Sequence, residues 1–513
     1  MTNVNTTLKQ LVRGAGILFL CTFLLYFTRF FYRLITSRYL GPEQYGLLSL
    51  GIMVLNIVGL LSVLGLHQGV IKYISHYNGK NDEPRVKGTI LLSTKISLFI
   101  SIISSTLLIL FSKQIAINLF HNAAFRPVLI IFSLTVPFFS VHKILSKSFL
   151  AFKKPEYNLV SLLSREVTTL IILSIVILFS GNILHISLVT LISTIFALII
   201  SLLLMEKYVF TVTKKSIKPI YEYKKILGFS IPLFLSVVFI EIMGWADTFF
   251  LNFLRTSVEV GIYNVILPLA ASLGVFSVAF SNMFFPIISE LHTKKLLNEI
   301  KHTYMIAAKW IFLLTLPPAL LFLFFPKIII SNLFGHEYIM GSSALVIIVI
   351  GYIISISMGP AFAILKTFNK VKFMFYINSI AAVLNVILNV ILIPKFSIIG
   401  AAAATAFALI FRDIIFVLKA RQSIKFKYKY KYYAKYILSG LISLIIVSLI
   451  TRYLNITSII GLIIILLCYG LTYLSLILVL HGIGKEDVMI LLEIEKKLGI
   501  NLGPIKNVIL KFI

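Results

Sequence analysis

Arg29 and Arg33 stand four residues apart in LLYFTRFFYRLIT, so on a helix they share one face. A guanidinium is a permanently charged planar fork of donors, suited to phosphate or carboxylate. Residues 14–36 around them are otherwise apolar enough to cross a bilayer. A charge at mid-bilayer costs roughly 2.5–3.5 kcal/mol on insertion scales, and such groups face a bundle interior or a watery cavity. These two residues therefore point to a cavity that holds something anionic.

Acids of opposite sign lie in FIEIMGWADTFFLNFL, as Glu241 and Asp247. Adding 215 to Arg29 and Arg33 gives 244 and 248, which flank Asp247. A pair formed across a cavity in one state and broken in another is a gate; a permanent pair is a structural link. The sequence supports both equally, and either acid is also a candidate for coupling to a cation. Arg165–Glu166 and Arg412–Asp413 are adjacent opposite charges. They favour local compensation, with Arg165 and Arg412 as secondary candidates for the site. Lys95, Lys143 and Lys309 read as snorkelling side chains. Asn378, Asn385 and Asn389 share a helix face, which favours interhelical bonding over substrate contact, with Asn385 a secondary site candidate. His67–Gln68 reads as a polar helix end.

Enzyme chemistry is not legible. The chain has no HExxH, CxxC or GxxxxGK[ST] and no nucleophile–base arrangement. Neither a catalytic residue, a metal nor a cofactor is expected. Cys21 and Cys468 both fall in apolar segments, so no disulfide framework is implied. Asn455-Ile456-Thr457 is a sequon in a very short loop.

The elements that must position these residues are membrane helices. The 513 residues are 59% hydrophobic and 13% charged, against about 25% charged in soluble proteins, and mean hydropathy is +1.01. Apolar runs recur from end to end, so the expected fold class is an all-α polytopic membrane protein. Fourteen spans are expected, near 14–36, 43–66, 88–112, 126–150, 158–180, 184–206, 226–250, 258–281, 303–325, 341–365, 373–394, 399–419, 436–454 and 457–480. The first lacks a cleavage site and reads as a retained helix. The connecting loops are too short for a separate catalytic domain.

Formal net charge is +29. The Lys and Arg of the connecting segments fall mostly on the side of the termini. The positive-inside rule then places both termini in the cytoplasm of a cell-membrane protein and accounts for the charge without nucleic acid.

A repeat runs through the spans. The first six starts reappear about 215 residues later, and EQYGLLSL (43–50) is echoed by EVGIYNVI (259–266) with Gly46 and Gly261 in register. Six is even, so two six-helix lobes share one orientation about an axis along the membrane normal. Transporters built this way bind substrate between halves and rock them. The expected domains are 1–210, 211–424, two extra helices in 425–482, and a cytoplasmic amphipathic tail, 483–513. The run KFKYKYKYYAKY (425–436) suits anionic lipid headgroups.

SRYLGPEQYGLLSL (37–50), WADTFFLNFLRTSVEVGIYN (245–264), FPIISEL (285–291) and LNVILNVILIPKFSIIGAAAATA (384–406) together carry a resemblance. Over roughly residues 10–480 the chain resembles the polysaccharide/oligosaccharide flippase family of the multidrug/oligosaccharidyl-lipid/polysaccharide exporter superfamily. The resemblance implies two six-helix lobes in a V plus two helices that form a groove for a lipid tail. It implies movement of a polyprenyl- or dolichyl-(di)phosphate-linked oligosaccharide from the cytoplasmic to the outer leaflet, for surface polysaccharide or protein glycosylation. First-helix arginines of related lipid II flippases meet the diphosphate, and Arg29 and Arg33 occupy the comparable region. The expected partners are the lipid-linked oligosaccharide, membrane lipids and glycan-assembly enzymes. Competing readings are a cation-coupled multidrug exporter, a multi-span glycan polymerase or ligase, and a passive scaffold. The arginine-bearing first half argues against the exporter, and the short outer loops against the enzyme.

Overall fold

The computed structural model describes residues 2–426, 430–453 and 459–482, and these are helices joined by turns, with no strand among them. The expected tail helix and the Asn455 sequon lie outside the described residues. Among the described residues the helices of thirteen or more residues are α1 (Thr2–Val63), α2 (Leu66–Asn78), α3 (Glu83–Leu110), α4 (Phe125–Ala151), α5 (Pro155–Leu178), α6 (Ile183–Leu204), α7 (Tyr223–Leu254), α8 (Ser257–Ala271), α9 (Val275–Thr293), α10 (Leu297–Phe324), α11 (Ser342–Ser357), α12 (Val371–Ile424), α13 (Tyr430–Tyr453) and α14 (Ile459–Val479), with shorter helices between some of them. Eleven helices among the described residues are long and apolar enough to cross a membrane. Two of these, in α1 and α12, each run through a pair of spans expected from the sequence.

Each of those long helices is broken by one residue. In α1 it is Gly41, at φ 70° and ψ 173°. Only glycine takes that φ without a Cβ penalty. Pro42 follows, with its φ preset for a first helical turn and no amide proton to leave unpaired. In α12 the break is Ser397, at φ 53° and ψ −131°; its hydroxyl donates to Glu259 Oε1 at 2.6 Å.

By packing, the chain forms two compact units. The first takes the described residues up to Val265 and Val386–Gly400, the second Ile266–Asn385 and the described residues from Ala401 on. In the first, α4 packs on α3, α6 and α1, and α5 packs on α1 and α6. Apolar association has little driving force inside a membrane, so close helix approach depends on small residues. Ser93, Ser97, Ser101 and Ser105 form such a buried row along α3. The Ser105 hydroxyl donates to Ser133 O of α4 at 2.7 Å. Gly51 and Gly59 of α1 seat the rings of Phe132 and Phe139. A buried cluster around Leu66, Ile74, Ile90, Leu145, Phe149 and Ile226 packs one end.

Gly46 and Gly261 meet directly. A Cβ on Gly46 would fall far inside van der Waals distance of Ser257 O and lie 3.0 Å from Gly261 N. One on Gly261 would likewise overlap Pro42 O and lie 3.0 Å from Gly46 N. Residues 42 and 257, like 46 and 261, differ by 215. The contact maps onto itself under the repeat offset, as a two-fold contact must.

In the second unit, α10 packs on α9, α11 and α13, and α13 pairs with α14. Gly440 of α13 admits Leu320 of α10. The Tyr473 hydroxyl of α14 donates to Leu313 O at 3.2 Å. α14 is thus bonded to α10 through a buried polar group, and α13 packs on both.

Candidate functional site

A cavity of about 450 Å³ lies within the first unit. Arg29, Arg33 and Asn56 reach it from the two limbs of α1, His142, Lys143 and Lys147 from α4, and Arg165 and Glu166 from α5. Thr190 and Thr194 of α6, Trp245 of α7 and Asn264 of α8 complete much of the wall. The four-residue spacings 29/33 and 143/147 each put two cations on one helix face. Five cations and one carboxylate therefore line the space.

The carboxylate organises two of the cations. Glu166 Oε1 accepts from Arg29 Nε at 3.1 Å and from Arg165 Nη2 at 2.8 Å. The Glu166 side chain is 9% exposed and that of Arg29 51%. The acid sits behind and the guanidinium in front. Arg29 spends only its Nε on this bond, and among the described residues its two terminal nitrogens have no protein partner. Arg33 donates from Nη1 to Asn264 O at 3.3 Å. Lys143 and Arg165 lie 5.8 and 5.6 Å from the centre of the Phe139 ring. An arrangement of this kind offers converging charged donors to a phosphate or carboxylate while keeping them anchored.

The acids of α7 are arranged otherwise. Arg29 bonds Glu166 and Arg33 bonds the Asn264 carbonyl. Asp247 is buried and accepts from the Tyr263 hydroxyl and from Asn389 Nδ2, the latter at 2.6 Å. The reason is helical phase. Trp245 lines the cavity, and two residues on, a helix has turned by about 200°, so Asp247 points toward α8 and α12. Glu241 is half-buried outside the lining.

Two other candidates belong to the second unit. Arg412 donates to Asp413 from Nε at 2.7 Å and Nη2 at 3.1 Å, and the Ser355 hydroxyl also donates to Asp413. Asn385 Nδ2 donates to Thr405 Oγ1 at 3.2 Å, joining the two limbs of α12. Neither Arg412 nor Asn385 lines the cavity. Arg165, also a secondary candidate, does.

Sequence reasoning passes over Lys143, Lys147, His142 and Trp245. Lys143, read as snorkelling, lines the cavity. A signal was present: Lys143 and Lys147 repeat the spacing that singles out Arg29 and Arg33. His142 gives no such signal; its Nε2 lies 3.1 Å from the Ser161 hydroxyl.

Comparison with known proteins agrees with this architecture. The sequence model of the family described as "Polysaccharide biosynthesis protein" matches residues 11–292, more than half of the chain, and the MatE model matches residues 232–391. An uncharacterized membrane protein of Methanocaldococcus jannaschii is 25% identical over 405 residues, 75% of this chain and 79% of that one. A probable low-salt glycan biosynthesis flippase of Haloferax volcanii, Agl15, is 30% identical over 190 residues, 36% of this chain and 40% of that one. Among solved structures, the lipid II flippase MurJ in an inward closed conformation has a TM-score of 0.70 at 19% identity, over 90% of this chain and 98% of that one. At that identity the likeness speaks for the fold.

Proposed function

We propose a flippase function from one premise: the chain belongs to the polysaccharide biosynthesis protein family of the multidrug/oligosaccharidyl-lipid/polysaccharide exporter superfamily. Its substrate is a polyprenyl- or dolichyl-(di)phosphate-linked oligosaccharide, carried from the cytoplasmic to the outer leaflet of the cell membrane by alternating access. The observation that carries this reading is the cavity in which five cations face one carboxylate.

A diphosphate in hydrocarbon needs its charge offset, and arginine forks do this with directed bonds. Arg29 and Arg33 bind the headgroup, with Arg165, Lys143 and Lys147 adding to the field. The lipid tail stays among lipids while the head crosses. Glu241 and Asp247 act in gating or in coupling to a cation, and both termini lie in the cytoplasm. The flippase named among the relatives supports the class of cargo. The MatE match keeps one rival, a cation-coupled drug exporter. A cationic cavity disfavours cationic drugs.

The deciding experiment is leaflet translocation in proteoliposomes with a short-chain polyprenyl-diphosphate oligosaccharide, comparing wild type with Arg29→Ala/Arg33→Ala. Protein-dependent transfer that is lost in the double variant is the expected result. Transfer that persists in the double variant rejects the site. Export of a cationic dye with no glycolipid movement rejects the function.

A further inference from the structure

The cavity wall holds more than anion chemistry. Trp245 is half-buried and lines the same space as the cations. Among the described residues its indole has no ring partner, no cation over its face and no hydrogen bond at its N–H. Phe139, by contrast, already carries Lys143 and Arg165 near its ring. In a cavity so rich in cations, the tryptophan face has been left open.

Three hydroxyls on the same wall are polarised one way. Ser49 donates to Tyr45 O at 2.8 Å, Thr169 to Arg165 O at 2.7 Å and Thr194 to Thr190 O at 2.7 Å. A hydroxyl has one proton, so each of these presents only lone pairs to the cavity. A phosphate diester has no proton to give them. A sugar has several, together with a C–H face that lies flat on an indole. The wall therefore offers cationic donors for a phosphate, acceptors for hydroxyls and an apolar plate.

Building on the flippase reading, we propose that this cavity also receives the sugar next to the diphosphate, with Trp245 as its stacking platform and Ser49, Thr169 and Thr194 as acceptors. Trp245 is a specificity-determining residue: it separates a glycosylated carrier from the bare carrier.

The test uses the full chain in lipid nanodiscs and two probes, geranylgeranyl diphosphate and the same lipid bearing one N-acetylhexosamine. Wild type should bind the glycosylated probe about tenfold more tightly, the scale of one aromatic face contact. Trp245→Ala should lose that ratio while binding the bare diphosphate as before, and Trp245→Phe should keep most of it. Because the readout is a ratio of two ligands on one preparation, partial loss of folded protein does not mimic it. Equal binding of both probes by wild type, or an equal loss of both in Trp245→Ala, overturns the inference and leaves the flippase reading intact. No binding of either probe by wild type overturns both.

Discussion

Two neighbouring-residue pairs, Arg165–Glu166 and Arg412–Asp413, look alike in sequence and do opposite things. In the second unit, Asp413 spends both oxygens on one guanidinium and accepts a serine hydroxyl as well. That cluster is neutral and closed. In the first unit, one oxygen of Glu166 serves two guanidiniums, and the group remains cationic toward a cavity. The difference is Arg29, supplied by another helix from 137 residues away. Adjacent charges in a membrane chain are therefore a prompt to count partners, since a third residue decides between a neutral link and a group that stays cationic.

The widest break in this comparison comes from charge removal. Arg29→Ala/Arg33→Ala should lower translocation roughly a hundredfold or more, since two charge-assisted contacts are lost, whereas Arg412→Ala should mainly lower folded yield. Both are read by transport per folded molecule. Removing the shared acid sharpens the contrast. Glu166→Gln should tighten binding of a diphosphate probe about tenfold and slow turnover, because no resident anion takes the guanidiniums back after release. Asp413→Asn should leave probe binding unchanged and cost about 1–3 kcal/mol of stability, measured by thermal unfolding in detergent.

Smaller effects test the frame around the cavity. Gly46→Ala and Gly261→Ala should each cost about 1–3 kcal/mol by overpacking. If the contact is two-fold, the two costs should agree closely, and a large inequality in melting shifts would reject the symmetry. Lys143→Gln should weaken probe binding a few-fold, less than either arginine variant, because a lysine presents a point charge where arginine presents a fork. Equilibrium binding to the same diphosphate probe measures it.

Much of this protein was legible from one chain of letters. Hydrophobic run lengths determine the membrane helices, because lipid leaves no other way to satisfy the backbone. The Gly41-Pro42 break and the 215-residue echo of Gly46 at Gly261 could be read directly, since glycine and proline act through the local backbone. Arg29 and Arg33 were legible because a buried cation is costly enough to require a purpose.

Only the tertiary structure brings Arg29 to Glu166 and Arg33 to the Asn264 carbonyl. The repeat offset led to Asp247 within a residue or so, yet helical phase turned that side chain away and put Trp245 on the wall. It also put Lys143 on the cavity wall. Spacing along a chain specifies which residues share a helix face. Which way that face points is settled by how neighbouring helices pack, and no single helix carries that information.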